Sequence, residues 1–410
     1  MLYHAYDMQR AMLAGASALA GAGARFWSNG VAPLAYFGGG PILASALDVF
    51  SHAAAPRGKP SFNLPSIKID GREIALAEEV VLEKPFGNLL HFRRVGTDGG
   101  SEFLPKLLIV APMSGHYATL LRDTVERMSG KHDIYITDWA DAKLVPVRAG
   151  RFDLDDYVDY LIDFLDHIGP AAHMLAVCQP SVPAYAAVAL MNAAKHRAAP
   201  LTLTMMGGPI DTREAPTQVN SMATQRPHEW FAHNVIARVP NYYAGGGRKV
   251  YPGFLQLSGF MSMNLGSHLM SHWDMFRHLI DGDDESADAT KAFYDEYRAV
   301  CDMTAEFYLQ TVETVFQRHS LPKGEMMHRG QRIDPAAISK TALLAIEGER
   351  DDISGLGQTK AALTIATGLD KRAKKYHLAP DVGHYGIFNG SKWRTNIAPI
   401  VEDWISTHSA

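Results

Sequence analysis

Two patterns of hydrophobic positions follow one another along the chain. Residues 67–74 form two short β-type runs around Asp70-Gly71, which predicts a hairpin, and a third such run covers residues 89–95. After these runs, short apolar stretches alternate with segments of helical spacing. Strands are expected at 107–111, 134–137, 173–177, 201–206, 343–346 and 375–378, and helices at 154–168, 183–193 and 393–405. Hairpins followed by this alternation predict an α/β fold with a mostly parallel central sheet.

The alternation stops between residues 209 and 335. This stretch is rich in aromatic residues and methionines, and it predicts a helical insertion. Because the sheet pattern resumes afterwards, the layout is that of an α/β-hydrolase fold with an inserted helical cap. We expect an N-terminal helical or irregular segment at 1–55, a first core part at 56–208, the cap at 209–335 and a second core part at 336–410.

Composition excludes several classes of protein. The chain has 410 residues, of which 47% are hydrophobic, and this content suits a large core rather than a disordered chain. The 39 basic and 44 acidic residues give a formal charge of −5, which argues against a nucleic-acid partner. No uninterrupted apolar run approaches the roughly 18 residues of a membrane-spanning helix. The two cysteines, Cys178 and Cys301, form neither a disulfide framework nor a zinc motif, which indicates a reducing compartment.

The N-terminal segment permits two interpretations. Residues 11–24 are a run of small apolar residues that ends with Ala-x-Ala spacing, as in a secretory signal peptide. However, Asp7 precedes Arg10 ahead of this run, and the run contains far more alanine and glycine than leucine. We therefore favour a helix that packs on the domain or lies on an apolar surface.

One residue stands where an α/β hydrolase carries its nucleophile, at the sharp turn between the central strand and its helix. No Gly-x-Ser-x-Gly motif occurs, but Cys178 follows the strand predicted at 173–177 and precedes a helix. Ala176 and Pro180 occupy the positions that glycine usually holds. A helix N-terminus lowers the pKa of a thiol and so favours the thiolate as nucleophile. The alternatives are a buried structural cysteine and, one helical turn later, Ser181 as nucleophile.

A carboxylate and a histidine follow in the order nucleophile–Asp–His, which is the chain order of α/β hydrolases. Asp351 comes a few residues after the strand predicted at 343–346 and fits best as the group that orients an imidazole; Asp352 stays an alternative. His384 lies after the last predicted strand, between Gly383 and a second glycine two residues on. Each of these side chains follows the C-terminal end of a strand, where open α/β sheets carry their sites. The sequence therefore predicts a catalytic triad.

Two backbone N–H groups are expected to stabilise the oxyanion of such a reaction. One belongs to Gln179, the residue after the nucleophile. The other belongs to Met113 or Ser114, in the loop after the strand predicted at 107–111. His116, in the same loop, is interpreted as a structural histidine.

A histidine pair elsewhere has the spacing of a metal site without its chemistry. His268 and His272 stand four residues apart, with His278 near them, but the glutamate of the His-Glu-x-x-His motif is absent. We interpret these histidines, and likewise Cys301, as packing residues. We predict no metal and no organic cofactor.

Four segments together resemble one known family, the intracellular poly(3-hydroxybutyrate) depolymerases, which are relatives of the polyhydroxyalkanoate synthases. The segments are AVCQPS around Cys178, GHYGIFNG around His384, EGERD ending at Asp351, and YITDW ending at Trp139. The resemblance covers nearly the whole chain, and cysteine followed by Gln-Pro is its specific element. It implies a capped α/β-hydrolase fold and a cysteine nucleophile that acts on the granule polymer. It also implies the triad Cys178, Asp351 and His384, in agreement with the residues themselves.

The resemblance further implies a cytoplasmic, granule-associated enzyme whose partner is poly(3-hydroxybutyrate), with a thioester acyl-enzyme and no membrane-spanning segment. Whether the enzyme forms a homo-oligomer stays open. Synthases share the triad, but their elbow is expected to read Gly-x-Cys-x-Gly-Gly, whereas Ala176 and Pro180 stand here, and the chain is short for a synthase. Both departures favour hydrolysis. The alternatives are a synthase-like acyltransferase that uses 3-hydroxyacyl-CoA and a non-catalytic granule-binding protein.

Overall fold

The computed structural model describes residues 2–28, 39–96, 104–263, 291 and 294–409. The chain divides into two compact units. One comprises Met1–Pro60 and Pro252–Cys301, and the other comprises Ser61–Tyr251 and Asp302–Ala410. This grouping joins part of the predicted cap to the N-terminal residues. The domain boundaries expected from the sequence stay a prediction.

The larger unit is built on a nine-stranded sheet. The strands of the described residues are, in chain order, β1 (Ser66–Ile69), β2 (Arg72–Leu82), β3 (Gly87–Val95), β4 (Lys106–Val110), β5 (Asp133–Trp139), β6 (Ala172–Val177), β7 (Thr202–Met206), β8 (Ala237–Arg238), β9 (Lys249–Tyr251), β10 (Met303–Thr304), β11 (Met327–His328), β12 (Gln331–Arg332), β13 (Ala342–Gly348) and β14 (Lys374–Ala379). The large sheet has the order β1-β2-β3-β5-β4-β6-β7-β13-β14. In this sheet β1, β2 and β3 pair antiparallel with their neighbours, and the remaining six strands, β5, β4, β6, β7, β13 and β14, are parallel to one another. The predicted α/β-hydrolase fold is confirmed.

The central strands are buried along their whole length. Every residue of β6, β7 and β13 is buried. A strand whose side chains alternate between two faces is buried throughout only if both faces of the sheet are covered. This explains why these strands read as continuous apolar runs in the sequence, and it leaves their C-terminal ends as the places where polar side chains emerge.

The helices of the described residues differ in how clearly their ends are marked, and α4 has the clearest signals. Their bounds are α1 (Leu2–Ser28), α2 (Gly39–Ala54), α3 (Arg122–Met128), α4 (Leu154–Ile168), α5 (Ser181–Ala193), α6 (Gln218–Gln225), α7 (His228–Asn234), α8 (Gly253–Met263), α9 (Ala305–Thr311), α10 (Ala361–Ile365), α11 (Gly390–Lys392) and α12 (Ala398–His408). Helix α4 begins with a capping box in which the side chains and N–H groups of Asp153 and Asp156 bond reciprocally. It ends at Gly169, whose φ is +86°. The bounds predicted for this helix are those observed.

The predicted cap is less purely helical than the sequence indicates. Besides α6 to α9, it contains the three-stranded sheet β8–β10 and the hairpin β11–β12. These strands are only two or three residues long, which is too short for a period-two pattern to be recognised in the sequence. His268, His272 and His278 lie outside the described residues.

In the smaller unit, α1 and α2 pack against each other. The hydroxyl of Ser17 donates to the carbonyl of Ser51 at 2.7 Å, and the hydroxyl of Ser51 donates to the carbonyl of Ser17 at 2.9 Å. Gly21 also lies here, because a Cβ at this position would stand 2.9 Å from the Ser51 hydroxyl. The run at 11–24, which resembles a signal-peptide core, lies within α1. Its small residues allow the two helix backbones to approach closely.

Two buried histidines lie near each other in the larger unit. His173 is fully buried on β6, where Nδ1 contacts the Thr202 hydroxyl at 2.9 Å and Nε2 contacts the Ser409 hydroxyl at 3.0 Å. Burial, together with smaller contributions from the neighbouring His132 and His408, lowers the pKa of His173 to about 4. Burial likewise lowers the pKa of His132 to about 4. Both rings are therefore neutral in the folded protein at neutral pH.

We predict that the free energy of unfolding falls as the pH decreases from about 6.5 to about 4. The unfolded chain binds these protons near pH 6.5 and the folded chain does not, so each histidine contributes a slope of about 1.4 kcal/mol per pH unit. In urea unfolding across this pH range, His173→Gln should show a shallower slope than the wild type. His233→Gln, at an exposed histidine, is the control. Equal slopes for wild type and His173→Gln would contradict this assignment.

Candidate active site

Cys178 forms the sharp turn between β6 and α5. Its φ of +66° lies in the left-handed region, which costs a residue other than glycine about 1–3 kcal/mol. Two backbone hydrogen bonds hold the turn. The Cys178 N–H donates to the carbonyl of Met206 at 2.7 Å, and the Ser181 N–H donates to the carbonyl of Cys178 at 3.0 Å. The strand, the strained turn and the helix are the local structure that an α/β hydrolase uses to present a nucleophile.

The structure brings His384 and Asp351 together with Cys178. His384 begins a short helical turn after β14, and its Nδ1 lies 2.7 Å from Oδ2 of Asp351. The other oxygen of Asp351 accepts from the N–H groups of Ile353 and Ser354, at 2.9 and 2.8 Å. The side chain of Cys178 also interacts with the imidazole of His384. The carboxylate thus fixes the tautomer in which Nε2 is available to the thiol.

Electrostatics favour the protonated form of His384. Burial by itself lowers the pKa of this imidazole, but Asp351 and Cys178 outweigh it and hold the pKa well above its usual value. The side chains of His384 and Asp351 are only 4% and 1% exposed, so solvent screens their interaction little. Asp352, by contrast, is exposed. The structure therefore pairs the imidazole with Asp351 and not with its neighbour.

Two glycines after β7 give these side chains their space. Gly207 has a φ of +59°, and a Cβ there would stand 3.0 Å from Cε1 of His384 and 3.1 Å from Oδ2 of Asp351. Gly208 lies against the elbow, because its Cβ would stand 2.1 Å from the Ser181 hydroxyl and 3.3 Å from the carbonyl of Cys178. Any side chain at either position would displace the residues of the site.

A buried carboxylate organises the loop beside these glycines. Glu347, near the end of β13, is 1% exposed. One of its oxygens accepts from the N–H groups of Thr359 and Lys360, at 2.8 and 2.9 Å, and the other accepts from the Gly357 N–H at 2.9 Å and the Tyr376 hydroxyl at 2.8 Å. Four donors satisfy this carboxylate and make its burial tolerable.

The same loop reaches the elbow through one threonine. Thr359 is fully buried, and its hydroxyl accepts from the Gly208 N–H at 2.7 Å while lying 3.0 Å from the Gly208 carbonyl. Glu347 holds Thr359, Thr359 holds Gly208, and Gly208 packs against Cys178. Glu347 belongs to the segment EGERD, but nothing in that segment indicates four hydrogen-bond partners. Sequence reasoning therefore missed its role.

The loop after β4 is fixed where it leaves the sheet. The Ala111 N–H donates to the Thr137 hydroxyl at 2.9 Å. The Ala111 carbonyl accepts from Trp139 Nε1 at 2.8 Å and from the Tyr157 hydroxyl at 3.3 Å. Met113 follows two residues later and is buried. Three anchors on one residue thus determine where the backbone of this loop lies relative to β5 and α4.

The N–H groups of Met113 and Gln179 donate to no group in the part of the chain that the structure describes. The side-chain amide of Gln179 is also buried without a hydrogen-bond partner there. Ser114 lies in the same loop as Met113 and is half-buried. The N–H groups of Met113 and Gln179 thus keep their hydrogen-bonding capacity, which is what oxyanion donors require.

Ser181, Cys301 and His116, the other residues considered in the sequence, are all buried. Ser181 is fully buried at the start of α5, and its hydroxyl has no hydrogen-bond partner among the described residues. Cys301 is buried in the smaller unit, and His116 is buried in the loop after β4. Among residues 2–28, 39–96, 104–263, 291 and 294–409, no group of three or more His, Cys, Asp or Glu side chains is arranged to hold a metal ion. No helix within these ranges is long and apolar enough to cross a membrane.

Part of the chain matches the model of one known protein family. Residues 207–409 match the family model described as the PHB de-polymerase C-terminus. No curated protein matches the chain.

Several solved structures are similar to the chain. A thermophilic esterase from Thermogutta terrifontis has 14% identity and a TM-score of 0.43, over 84% of this chain and 98% of that one. A monoacylglycerol lipase from Paleococcus ferrophilus has 10% identity and a TM-score of 0.44, over 74% and 96%. The 2-hydroxy-6-oxo-6-phenylhexa-2,4-dienoate hydrolase from Rhodococcus sp. strain RHA1 has 11% identity and a TM-score of 0.43, over 81% and 99%.

The family match covers about half of the chain, including β13, β14 and the segments that carry Asp351 and His384. In the other half, the parallel strands and the strained turn after β6 are those of an α/β-hydrolase fold. The chain therefore belongs to the family of PHB depolymerase-type α/β hydrolases.

Proposed function

We propose that this protein is an intracellular, granule-associated depolymerase that hydrolyses the ester bonds of poly(3-hydroxybutyrate). One observation carries the proposal. A cysteine in a strained left-handed turn interacts with a buried imidazole that a buried carboxylate orients. This arrangement provides a nucleophile, a base and an orienting group for acyl transfer. The match of residues 207–409 to the family model described as the PHB de-polymerase C-terminus supports the polyester as substrate.

In the proposed acylation step, His384 takes the proton of Cys178. The thiolate attacks the carbonyl carbon of an ester bond and forms a C–S bond. The tetrahedral intermediate collapses, the C–O bond to the leaving chain breaks, and His384 returns the proton to the alkoxide. The raised pKa of His384 suits this step, because the imidazolium must persist until the leaving group accepts its proton. A shortened chain departs, and a thioester remains on Cys178.

In the proposed deacylation step, His384 removes a proton from water while the water oxygen attacks the thioester carbonyl. The C–S bond breaks, the thiolate leaves, and the 3-hydroxyacyl group departs as the acid. Asp351 accepts the Nδ1–H of His384 throughout and stabilises the imidazolium. The reaction needs no electron transfer, and every proton moves between substrate, water, Cys178 and His384.

We assign the stabilisation of the oxyanion in both intermediates to two donors, the N–H of Gln179 and one N–H from Met113 or Ser114. The unused hydrogen-bonding capacity of the Gln179 and Met113 N–H groups supports this assignment. Removing one such donor typically costs a factor of about 10²–10³ in kcat. Because both donors are backbone groups, a substitution tests them only indirectly, through the loops that hold them.

We predict that Cys178→Ala abolishes hydrolysis and that Cys178→Ser retains a small part of the wild-type activity. Loss of a nucleophile typically lowers kcat by a factor on the order of 10⁴ or more. The measurement is titration of acid released from amorphous poly(3-hydroxybutyrate) granules by the full-length protein. Activity that survives in Cys178→Ala would refute the nucleophile and return attention to Ser181. Absence of acid together with CoA release from 3-hydroxybutyryl-CoA would instead identify a polymerising acyltransferase.

We predict that Asp351→Asn lowers kcat by about 10²–10⁴-fold and that Asp352→Asn changes it less than about twofold. Only Asp351 accepts the Nδ1–H of His384, so its amide variant loses the carboxylate that raises the imidazole pKa. Activity on a soluble ester provides the rate. An NMR titration of the histidine rings should show the pKa of His384 falling in Asp351→Asn alone. Equal losses in the two variants would contradict the pairing.

We predict that Glu347→Gln lowers kcat about tenfold and leaves KM nearly unchanged. An amide group in place of one oxygen loses a hydrogen bond and turns a donor toward the donors that surround it, which costs about 1–3 kcal/mol of loop stability. The loop then holds Gly208, and with it the elbow, less firmly. Glu349→Gln, two residues on and exposed, is the matched control. A change in KM alone would show that Glu347 acts on substrate binding and not on the elbow.

A further inference from the structure

Helix α1 is apolar on two opposite faces. Ser17, Ala20 and Ala24 are buried, and Ser17 faces α2 through its bonds with Ser51. The other face carries large side chains that are open to solvent. They are Met8, Met12, Leu19 and Phe26, at 61%, 67%, 77% and 60% exposure.

These four residues are aligned along one side of the helix, and we call them the apolar stripe. At about 100° per residue, positions 8, 12, 19 and 26 fall within about 40° of one another on the helix, and they extend over about 27 Å. The buried residues stand on the opposite side. Contact with α2 therefore does not require the stripe, and burial within the unit does not explain its side chains. A helix with apolar residues on both sides is normally covered on both sides.

Exposed apolar residues are concentrated in this part of the chain. Of the seventeen large hydrophobic residues that are exposed among the described residues, eight lie in α1 and α2. Besides the stripe they include Ile42, Leu43 and Phe50 of α2, at 51%, 41% and 47% exposure. Scattered exposed hydrophobic residues are normal, but a concentration of this kind marks a surface that meets an apolar partner.

Charge identifies the kind of partner. Residues 11–24, which include Met12 and Leu19 of the stripe, contain no charged side chain. The nearest basic residues on the two sides are Arg10 and Arg25. Helices that bind anionic lipid surfaces carry lysine and arginine along their polar face. An uncharged helix face matches a surface that has no charge of its own. A polyester such as poly(3-hydroxybutyrate) provides that surface, since its chain contains ester and alkyl groups only.

We propose that the apolar stripe of α1 adsorbs on the uncharged polyester surface and holds the enzyme on its insoluble substrate. This proposal rests on the proposed function for the identity of the polymer. Adsorption uses residues of the smaller unit, whereas the triad belongs to the larger one. Binding to polymer and turnover of a soluble ester are therefore separable properties of the same chain.

The test is co-sedimentation of the full-length protein with amorphous poly(3-hydroxybutyrate) particles. Cys178→Ala serves as the parent protein, so that the particles stay intact. Met12→Glu/Leu19→Glu should lower the bound fraction, expressed as a partition coefficient, at least about tenfold. Gln9→Glu/Ala18→Glu adds the same two charges to exposed positions of α1, about 60–80° from the stripe, and should change the coefficient less than about twofold.

Two further measurements keep the outcomes distinct. With Cys178 intact, both double variants should hydrolyse a soluble ester at the wild-type rate, which shows that the larger unit is folded. Circular dichroism should show that α1 is retained. Equal loss of partition in both double variants, or none in the stripe variant, would overturn the proposal. So would tighter binding to phosphatidylglycerol vesicles, or a dimer in analytical ultracentrifugation that the stripe variant dissociates. Stripe-dependent adsorption without any hydrolysis would uphold the stripe and refute the proposed function.

Discussion

The site depends on one strained turn. Cys178 adopts a left-handed conformation that its side chain disfavours, so the surrounding structure must hold it there. The bond from its N–H to Met206 ties the turn to β7, and the continuation of β7 into Gly207 and Gly208 leaves space beside it. The Cys178 thiol, the imidazole and the carboxylate all lie around this one segment of backbone. A change there alters all three at once.

A second group, Glu347, stabilises that turn from a distance. A buried carboxylate with four donors behaves as a rigid centre, because losing any one bond leaves a charged oxygen partly unsatisfied. Its bonds order the loop that contains Thr359, and Thr359 in turn bonds both backbone groups of Gly208. Glu347 and Asp351 stand four residues apart near the end of one strand. One positions the turn and the other positions the imidazole, so β13 supports both halves of the site.

The positions of the candidate site residues could be predicted from the sequence because these residues lie at strand ends. A buried parallel strand is a continuous apolar run, so the ends of 173–177 and 343–346 could be located, and Cys178 and Asp351 with them. Three features escaped prediction. The hydrogen bonds of Glu347 join residues up to 29 positions apart, the strands β8–β12 are too short to show a period, and Gly207 is needed only because His384 packs against it. Each depends on neighbours that are distant in the chain.

The sequence by itself determined the fold class, the order of the strands along the chain, and the chemical identity and order of Cys178, Asp351 and His384. Only the tertiary structure decided that His384 pairs with Asp351 and not with Asp352, since two adjacent side chains point in different directions and burial selects one. It also decided which apolar face of α1 is covered. Helical periodicity shows that a face is apolar, but only the packing of other elements shows whether water reaches it.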